Sequence, residues 1–253
     1  MKPSFKTILP IALLSLTAIT ATHAETSDGK TFGVSAGWLH IMPQSSAQGV
    51  NNKLSSTWLP SDDAGFKVKD ANTVGLTLDY FVNDNVSLEM VLGAPPKMKL
   101  AGVGKAIIVP PAGNSDGMGV NLGDYANIAS TRAYTPTFLA KYQFGTVDSK
   151  VRPYLGGGIM YAHFSDIKTD PNIEFPIPGM NIDSVKVDDA IAPVVVAGVD
   201  YNLTKDWYAT ASVSYAHLST DATLNINGMV NITGKSKIEI NPIVTYMGIG
   251  YRF

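Results

Sequence analysis

The strongest constraint on this chain is a period-two alternation of apolar and polar residues. It recurs in eight segments, and after Ala24 no run of about 18 apolar residues offers a helical membrane span instead. In 31–42, Phe32, Val34, Ala36 and Trp38 share one face, with Gly33, Ser35, Gly37, Leu39 and Ile41 on the other. In 73–81, Val74, Leu76, Leu78 and Tyr80 oppose Gly75, Thr77 and Asp79, and after Asn83-Asp84-Asn85 a third segment sets Val86, Leu88, Met90 and Leu92 against Ser87, Glu89 and Val91. Segments at 135–144, 151–164, 191–201 and 207–218, and one ending at Phe253, continue the pattern. The connections alternate as strictly as the residues. Those after the second, fourth and sixth segments are short, whereas 43–72, 94–132, 165–190 and 219–235 are long.

Short turns at one end and long loops at the other describe a transmembrane barrel with periplasmic turns and extracellular loops. The apolar faces also carry aromatic residues where they approach the short turns: Tyr80, Tyr142, Phe144, Tyr201, Trp207, Tyr251 and Phe253. An interfacial girdle requires that placement, and a soluble β-sandwich does not. The expected fold is therefore all-β, an eight-stranded antiparallel transmembrane β-barrel over 25–253.

The one continuous apolar stretch lies at the start. Lys2 and Lys6 precede Ile8 to Ile19, and Thr22-His23-Ala24 supplies small residues at the positions that govern cleavage. Residues 1–24 read as an export signal removed after Ala24; as an uncleaved anchor the stretch is short for a span of about 20 residues. Without the two leader lysines, 17 basic and 21 acidic side chains leave a net charge of −4, which gives no reason to expect a nucleic-acid partner. The chain has no cysteine, so an exported protein must obtain its stability from something other than disulfides.

Parity assigns the interior, which in an eight-stranded barrel is just wide enough for side chains or one small ligand. Toward the short turns it holds Asp79, Glu89, Lys141, Arg152, Asp200 and Arg252. Three acids and three bases at one level are costly unless paired, so a salt-bridged plug is expected there. Toward the long loops it holds Leu39, Ile41, Val91, Leu139, Met160, Val194, Leu218 and Tyr246, with Gly75, Gly93 and Ala216 between them. A water-filled pore wants polar walls, whereas an apolar chamber above a charged plug suits a hydrophobic solute. A simply filled core accounts for both sets without transport. The long loops are apolar too, through Trp58 and Leu59, Met98, Ile107 and Phe175, either as a funnel over the mouth or as hairpins packed on one another.

Proline removes a ladder hydrogen bond. Pro136, Pro193 and Pro242 fall in or beside strands on the inward-to-upper part of the wall. Pro136 either leaves a weak lateral seam beside the third strand or marks a strand start. Catalysis finds little support. His40, His163 and His217 have outward parity and come from strands that are not mutual neighbours, so neither a shared metal site nor a Ser-His-acid triad is expected. Gly156-Gly157-Gly158 lies within a strand rather than before a helix, so it is read as close packing or curvature, not a phosphate loop. The expectation is a protein that is not an enzyme and needs no cofactor.

Several stretches carry a family resemblance. Gly37-Trp38 with Pro43 and Ser45-Ser46, Pro136-Thr137, Phe144-Gly145 followed by Ser149 to Gly158, Asp200-Tyr201 with Trp207, and the terminal Tyr251-Arg252-Phe253 together resemble the OmpW family over essentially the whole mature chain. Tyr251 and Phe253 also resemble the C-terminal signal read by the barrel assembly machinery. The resemblance implies that small hydrophobic molecules enter an apolar channel and diffuse sideways into the bilayer. Expected partners are then outer-membrane lipid and lipopolysaccharide of a Gram-negative cell, the assembly machinery and small hydrophobic solutes; oligomeric state is left open. Two rival readings stand beside this one: a filled barrel whose loops bind external partners, and a narrow ion-conducting pore.

Overall fold

The computed structural model describes residues 24–45, 50–54, 57–61, 64–109, 118–124, 127–169, 181–227 and 232–253. The expected leader lies outside them apart from Ala24. Eight antiparallel strands form the barrel: β1 (Phe32–Met42), β2 (Ala71–Phe81), β3 (Val86–Gly93), β4 (Thr137–Gln143), β5 (Val151–Thr169), β6 (Ala190–Asn202), β7 (Trp207–Ala216) and β8 (Ile243–Arg252). Each pairs with its neighbours in sequence, and β1 closes on β8 from Gly33 opposite Arg252 to Met42 opposite Ile243. Pairing of β1 with β8 leaves neither terminal strand with an open edge in the membrane, where an unpaired backbone group would find no water.

Alternation resolves into lipid-facing and inward residues as expected. Val74, Ile191, Val195 and Met247 are 60 to 73 % exposed, an arrangement suited to hydrocarbon rather than to water. Phe32, Tyr142, Phe144, Tyr201, Trp207 and Phe253 ring the short-turn end, and Trp38, Tyr134, Tyr161 and Tyr215 ring the other. On β7, Trp207 and Tyr215 lie eight residues apart, about 26 Å along the strand. Contacts between rings, such as Trp207 with Tyr251 at 5.1 Å and Tyr142 with Phe144 at 5.1 Å, lock the lower girdle.

Local chemistry sets the short turns. The side-chain oxygen of Asn83 accepts from the backbone N–H groups of Asn85 and Val86, both at 2.9 Å, and turns β2 into β3. Asn85 Nδ2 then donates to the carbonyls of Gln143 (2.7 Å) and Gly145 (2.9 Å), tying two turns together.

The long connections differ from irregular loops. Lys97–Val103 and Ala129–Tyr134 pair with each other, Ala129–Tyr134 pairs with the top of β5, and Gly65–Val68 adds a third strand outside Lys97–Val103. A separate five-stranded sheet runs in the order Asn181–Val187, Ser219–Asn227, Ile232–Glu239, Val50–Leu54, Thr57–Ser61. Lys105–Val109 and Met118–Asn121 form a hairpin. The barrel wall thus continues past the membrane as β-structure, and β5 reaches Thr169 rather than stopping near Phe164.

The glycine run of β5 is explained by close backbone approach. A Cβ on Gly158 would lie 1.8 Å from the Phe138 carbonyl oxygen, and one on Gly156 would lie 2.6 Å from that of Ala140. The obstacle is backbone of β4 and cannot rotate away. Gly158→Val is expected to destabilise the barrel by about 1–3 kcal/mol or more, read as a lower urea midpoint of the folded form in lipid vesicles. An unchanged midpoint would show that β4 and β5 separate without cost.

Candidate functional site

The inward residues form three levels. Lowest is the charged layer. Lys141 on β4 reaches Asp79 (2.6 Å) on β2 and Glu89 (2.7 Å) on β3, with all three side chains at least nine-tenths buried. Register brings them together: Asp79 is directly opposite Glu89, and β4 lies beside β3. Arg252 pairs with Asp200 at 3.0 Å, donates to Asn202 at 2.6 Å and stacks over the Tyr208 ring at 4.1 Å. Gln143 adds a hydrogen bond to Asp200 at 3.0 Å. Arg152 departs from the expected ion-paired layer. Although opposite Asp200 in register, it donates to the carbonyl of Asp84 in the β2–β3 turn and makes no ion pair among the described residues. Its long side chain points down to the turn, and Arg252 already occupies Asp200.

Above the charges lies a hydroxyl floor. Ser35 sits between Thr77 and Tyr246, each at 2.7 Å, so the buried hydroxyls satisfy one another.

Higher still is a cavity of about 120 Å³. Leu39, Ile41, Val91, Leu139, Met160, Val194, Leu218 and Tyr246 all line it, brought together from β1, β3, β4, β5, β6, β8 and the segment after β7. The size is comparable to cavities lined by aliphatic side chains that stay dry and hold one benzene-sized molecule. Gly75 makes room for this packing, since a Cβ there would meet Leu39 Cδ1 at 2.6 Å. Glu89 is the acid at the cavity's lower edge, and Lys141 neutralises it.

The extracellular strands supply the upper wall, through Val68, Leu100, Ile238 and Ile240. Leu100 is one of the apolar residues expected around the mouth; Val68, on the connection 43–72, and Ile238 and Ile240, between the last connection and the final strand, are not anticipated from the sequence. Met98, expected at the mouth, lies on Lys97–Val103, where it is buried and lines the cavity. The chain resumes pairing after Pro95-Pro96, which turns that side chain inward. Ile107 sits half-buried on the small hairpin and does not line the cavity. Trp58 and Leu59 lie on Thr57–Ser61, but their side chains, like Phe175 altogether, fall outside the described residues.

The wall is interrupted at this height between β3 and β4. The β3–β4 ladder ends where Val91 faces Thr137. On its other side β3 stays paired with β2, up to Ala94 N–H donating to the Val74 carbonyl at 2.9 Å. Contact between the two extensions resumes only at Ala133 N–H to the Pro96 carbonyl (3.3 Å) and at Lys97 opposite Arg132. Pro136 lies within this gap, as do Pro95 and Pro96 on the facing segment, none with an N–H to donate. Gly93, Pro96 and Thr135 line the cavity here, so it reaches the interrupted wall. The facing prolines were visible in the sequence; the signal was that they fall at one height once the strands are aligned. Pro193 corrects the inward placement expected for it: it is exposed on the outer face of β6, opposite Ile159, because its parity is that of Val195.

The three outward histidines remain apart. His40 bonds Asn72 at 2.9 Å and stacks on Trp38, while His163 bonds Asp189 at 2.8 Å. Tyr161 also donates to Asp189, at 2.6 Å, and this bond holds that carboxyl below the usual carboxylate range. Among the described residues no group of three His, Cys, Asp or Glu side chains is placed to hold a metal ion.

Comparison with known proteins agrees with this architecture. The family model described as the OmpW family matches residues 28–253. Outer membrane protein W of Vibrio cholerae serotype O1 is 31 % identical over 224 residues, covering 88 % of each chain. The Dibenzothiophene metabolism operon protein PahQ of Pseudomonas aeruginosa is 24 % identical over 184 residues, covering 73 % of this chain and 72 % of that one. The crystal structure of OprG from Pseudomonas aeruginosa superposes with a TM-score of 0.69 at 24 % identity, covering 88 % of this chain and 96 % of the other. An eight-stranded barrel with two aromatic girdles, matched over residues 28–253, thus belongs to the OmpW family and resides in the outer membrane of a Gram-negative bacterium.

Proposed function

We propose that this barrel is a passive channel for small hydrophobic molecules, which enter the apolar chamber from outside and leave sideways into the membrane. The observation that carries the reading is the combination of a chamber closed below by paired charges and a wall interrupted beside it. A solute that reaches the cavity meets buried ion pairs underneath, and crossing them means breaking contacts between Lys141 and two carboxylates. At the gap between β3 and β4 it meets no backbone ladder. Apolar lining favours an apolar solute, since each methylene moved out of water contributes about 0.8 kcal/mol. A relative named for a dibenzothiophene metabolism operon supports the same solute class.

The first test is uptake of a small hydrophobic probe by cells lacking, then expressing, the protein. Faster uptake on expression is expected, and equal uptake with a properly inserted barrel rejects transport of that probe. The exit route has its own test, made clean by the absence of native cysteine. Gly93→Cys with Thr135→Cys, joined by a short bis-maleimide across the gap, should lose most of the uptake that the unlinked variant retains. Val195→Cys with Tyr215→Cys, directly paired and lipid-facing on β6 and β7, should transport normally when linked. Undiminished uptake with the gap linked would discard lateral exit there.

A further inference from the structure

The outer surface above the gap is unlike the rest of the barrel. Gly65–Val68, Lys97–Val103 and Ala129–Tyr134 turn Val68, Met98, Thr131 and Ala133 toward the cavity. Their other face, with the top of β5 beside it, carries Lys67, Lys69, Lys97, Lys99, Arg132 and Lys168, all exposed.

Register makes these cations a patch. Lys99 is opposite Ser130, which is opposite Lys168 on the far side, and Lys69 donates its backbone N–H to the Lys99 carbonyl. Those residues form one row across four chain segments. Lys97 opposite Arg132 forms a second row below it. Two acids accompany them among the described residues: Asp166, which pairs with Arg132 at 3.3 Å, and exposed Asp70. The patch is thus four positive charges in excess on a mature chain whose net charge is −4, so the remainder carries −8.

Height identifies what this surface meets. Tyr134, in the outer aromatic girdle, packs on His163 with ring centroids 6.1 Å apart. Arg132 is two residues above Tyr134, about 7 Å along the strand. Girdle aromatics sit at headgroup level, so the cations begin where the headgroups of the outer leaflet lie. Arginine and lysine there match phosphate, arginine through two parallel N–H donors.

We propose that this face docks a phosphorylated glycolipid of the outer leaflet, with its phosphates on the two cationic rows and its acyl chains against the wall beside the β3–β4 gap. The proposal stands independently of transport. A lipid held there would nonetheless line the outer lip of the exit.

The test is native mass spectrometry of the detergent-solubilised mature barrel titrated with bisphosphorylated lipid A, in EDTA to remove bridging cations. The variant Lys97→Gln/Lys99→Gln/Arg132→Gln/Lys168→Gln should bind at least about tenfold more weakly, because each cation near an anionic surface contributes substantially. Lys150→Gln/Lys205→Gln, at the short-turn end, should bind as the native protein does, and dephosphorylated lipid A should bind native protein no better than the fourfold variant binds the intact lipid. If the fourfold variant does not fold, salt replaces it: adding salt to the native barrel should weaken the complex, since exposed charges are screened. Salt-insensitive binding, equal binding by the folded variant, or equal binding of the phosphate-free lipid overturns the proposal. Full displacement by millimolar inorganic phosphate would overturn it too, marking a free-phosphate site instead.

Discussion

Lys141→Met is expected to be the most damaging single substitution in the barrel, lowering its stability by about 3–5 kcal/mol, the usual cost of removing one partner from a buried ion pair. Lys141 is 4 % exposed and neutralises both Asp79, also 4 % exposed, and Glu89. Its removal leaves two carboxylates facing each other across β2 and β3, and among the described residues no other cation pairs with them. Their desolvation is no longer offset, and their mutual repulsion is added to it. The measurement is the urea midpoint of the folded barrel in lipid vesicles. The mechanism predicts its own rescue: Asp79→Asn and Glu89→Gln added to Lys141→Met should recover most of the loss, because amides can remain buried when hydrogen-bonded. A loss under about 1 kcal/mol for the single variant, within the range of exposed pairs, would mean that water reaches the layer and that the floor is not closed.

Met160→Lys should abolish uptake of hydrophobic probes while leaving the barrel in the membrane. Met160 is buried on β5, directly opposite Thr137 and Ala192, and its side chain lines the cavity beside Leu139 and Val194. An ammonium at that place has Glu89 as the only carboxylate among the described cavity-lining residues, and Lys141 already occupies it. It therefore brings its own water into the chamber, and an apolar solute must then displace that water. Several kilocalories per mole are at stake when a charge is stripped of water; the initial rate should fall by at least about tenfold, the equivalent of 1.4 kcal/mol. Met160→Leu conserves volume and polarity and should transport like the native protein. Heat-modified gel mobility checks that each variant is folded. A folded Met160→Lys barrel with native uptake would show that solutes bypass the chamber, and would favour a barrel whose loops, rather than its interior, do the work.

The two rival readings make different demands on the same residues. An ion-conducting pore requires the layer of Lys141, Asp79 and Glu89 to pass water, yet all three side chains are at least nine-tenths buried. An interaction barrel depends on the extracellular strands, and the five-stranded sheet gives it a built surface. That sheet is compatible with a chamber beneath it, because Ile238 on it, with Ile240 just past its end, also serves as chamber wall.

How much could be read beforehand depended on what each segment faces. From Phe32 to Met42 one side meets hydrocarbon and the other the barrel interior, so Trp38 and Ser35 fall on opposite faces, and the inward and outward sets of every membrane strand follow. The long connections face neither lipid nor a single solvent. Ser219–Asn227 pairs on both edges and alternates Thr220, Ala222, Leu224 and Ile226 with Ser219, Asp221, Thr223 and Asn225, yet with Leu224 and Ile226 as its only large apolar side chains it reads as loop. Met98 and Leu100 read as apolar mouth residues, and the structure places both on a paired strand that lines the cavity, whereas Val68, Ile238 and Ile240 give no such signal in the sequence. Arg152 was placed correctly by parity, but its partner was not, since parity says nothing of how far a long side chain reaches. Pro136 was noticed alone, while its significance beside Pro95 and Pro96 needed the alignment of strands 40 residues apart.

Sequence alone therefore determined that the chain is an eight-stranded outer-membrane barrel with a charged lower and an apolar upper interior, because lipid outside and side chains inside impose a period of two on every membrane strand. Only the tertiary structure decided which charges pair, that the extracellular segments extend the wall and line the top of the chamber, and that three prolines meet at one gap beneath a cationic face. Those features depend on contacts between strands distant in sequence, for which no local pattern is required.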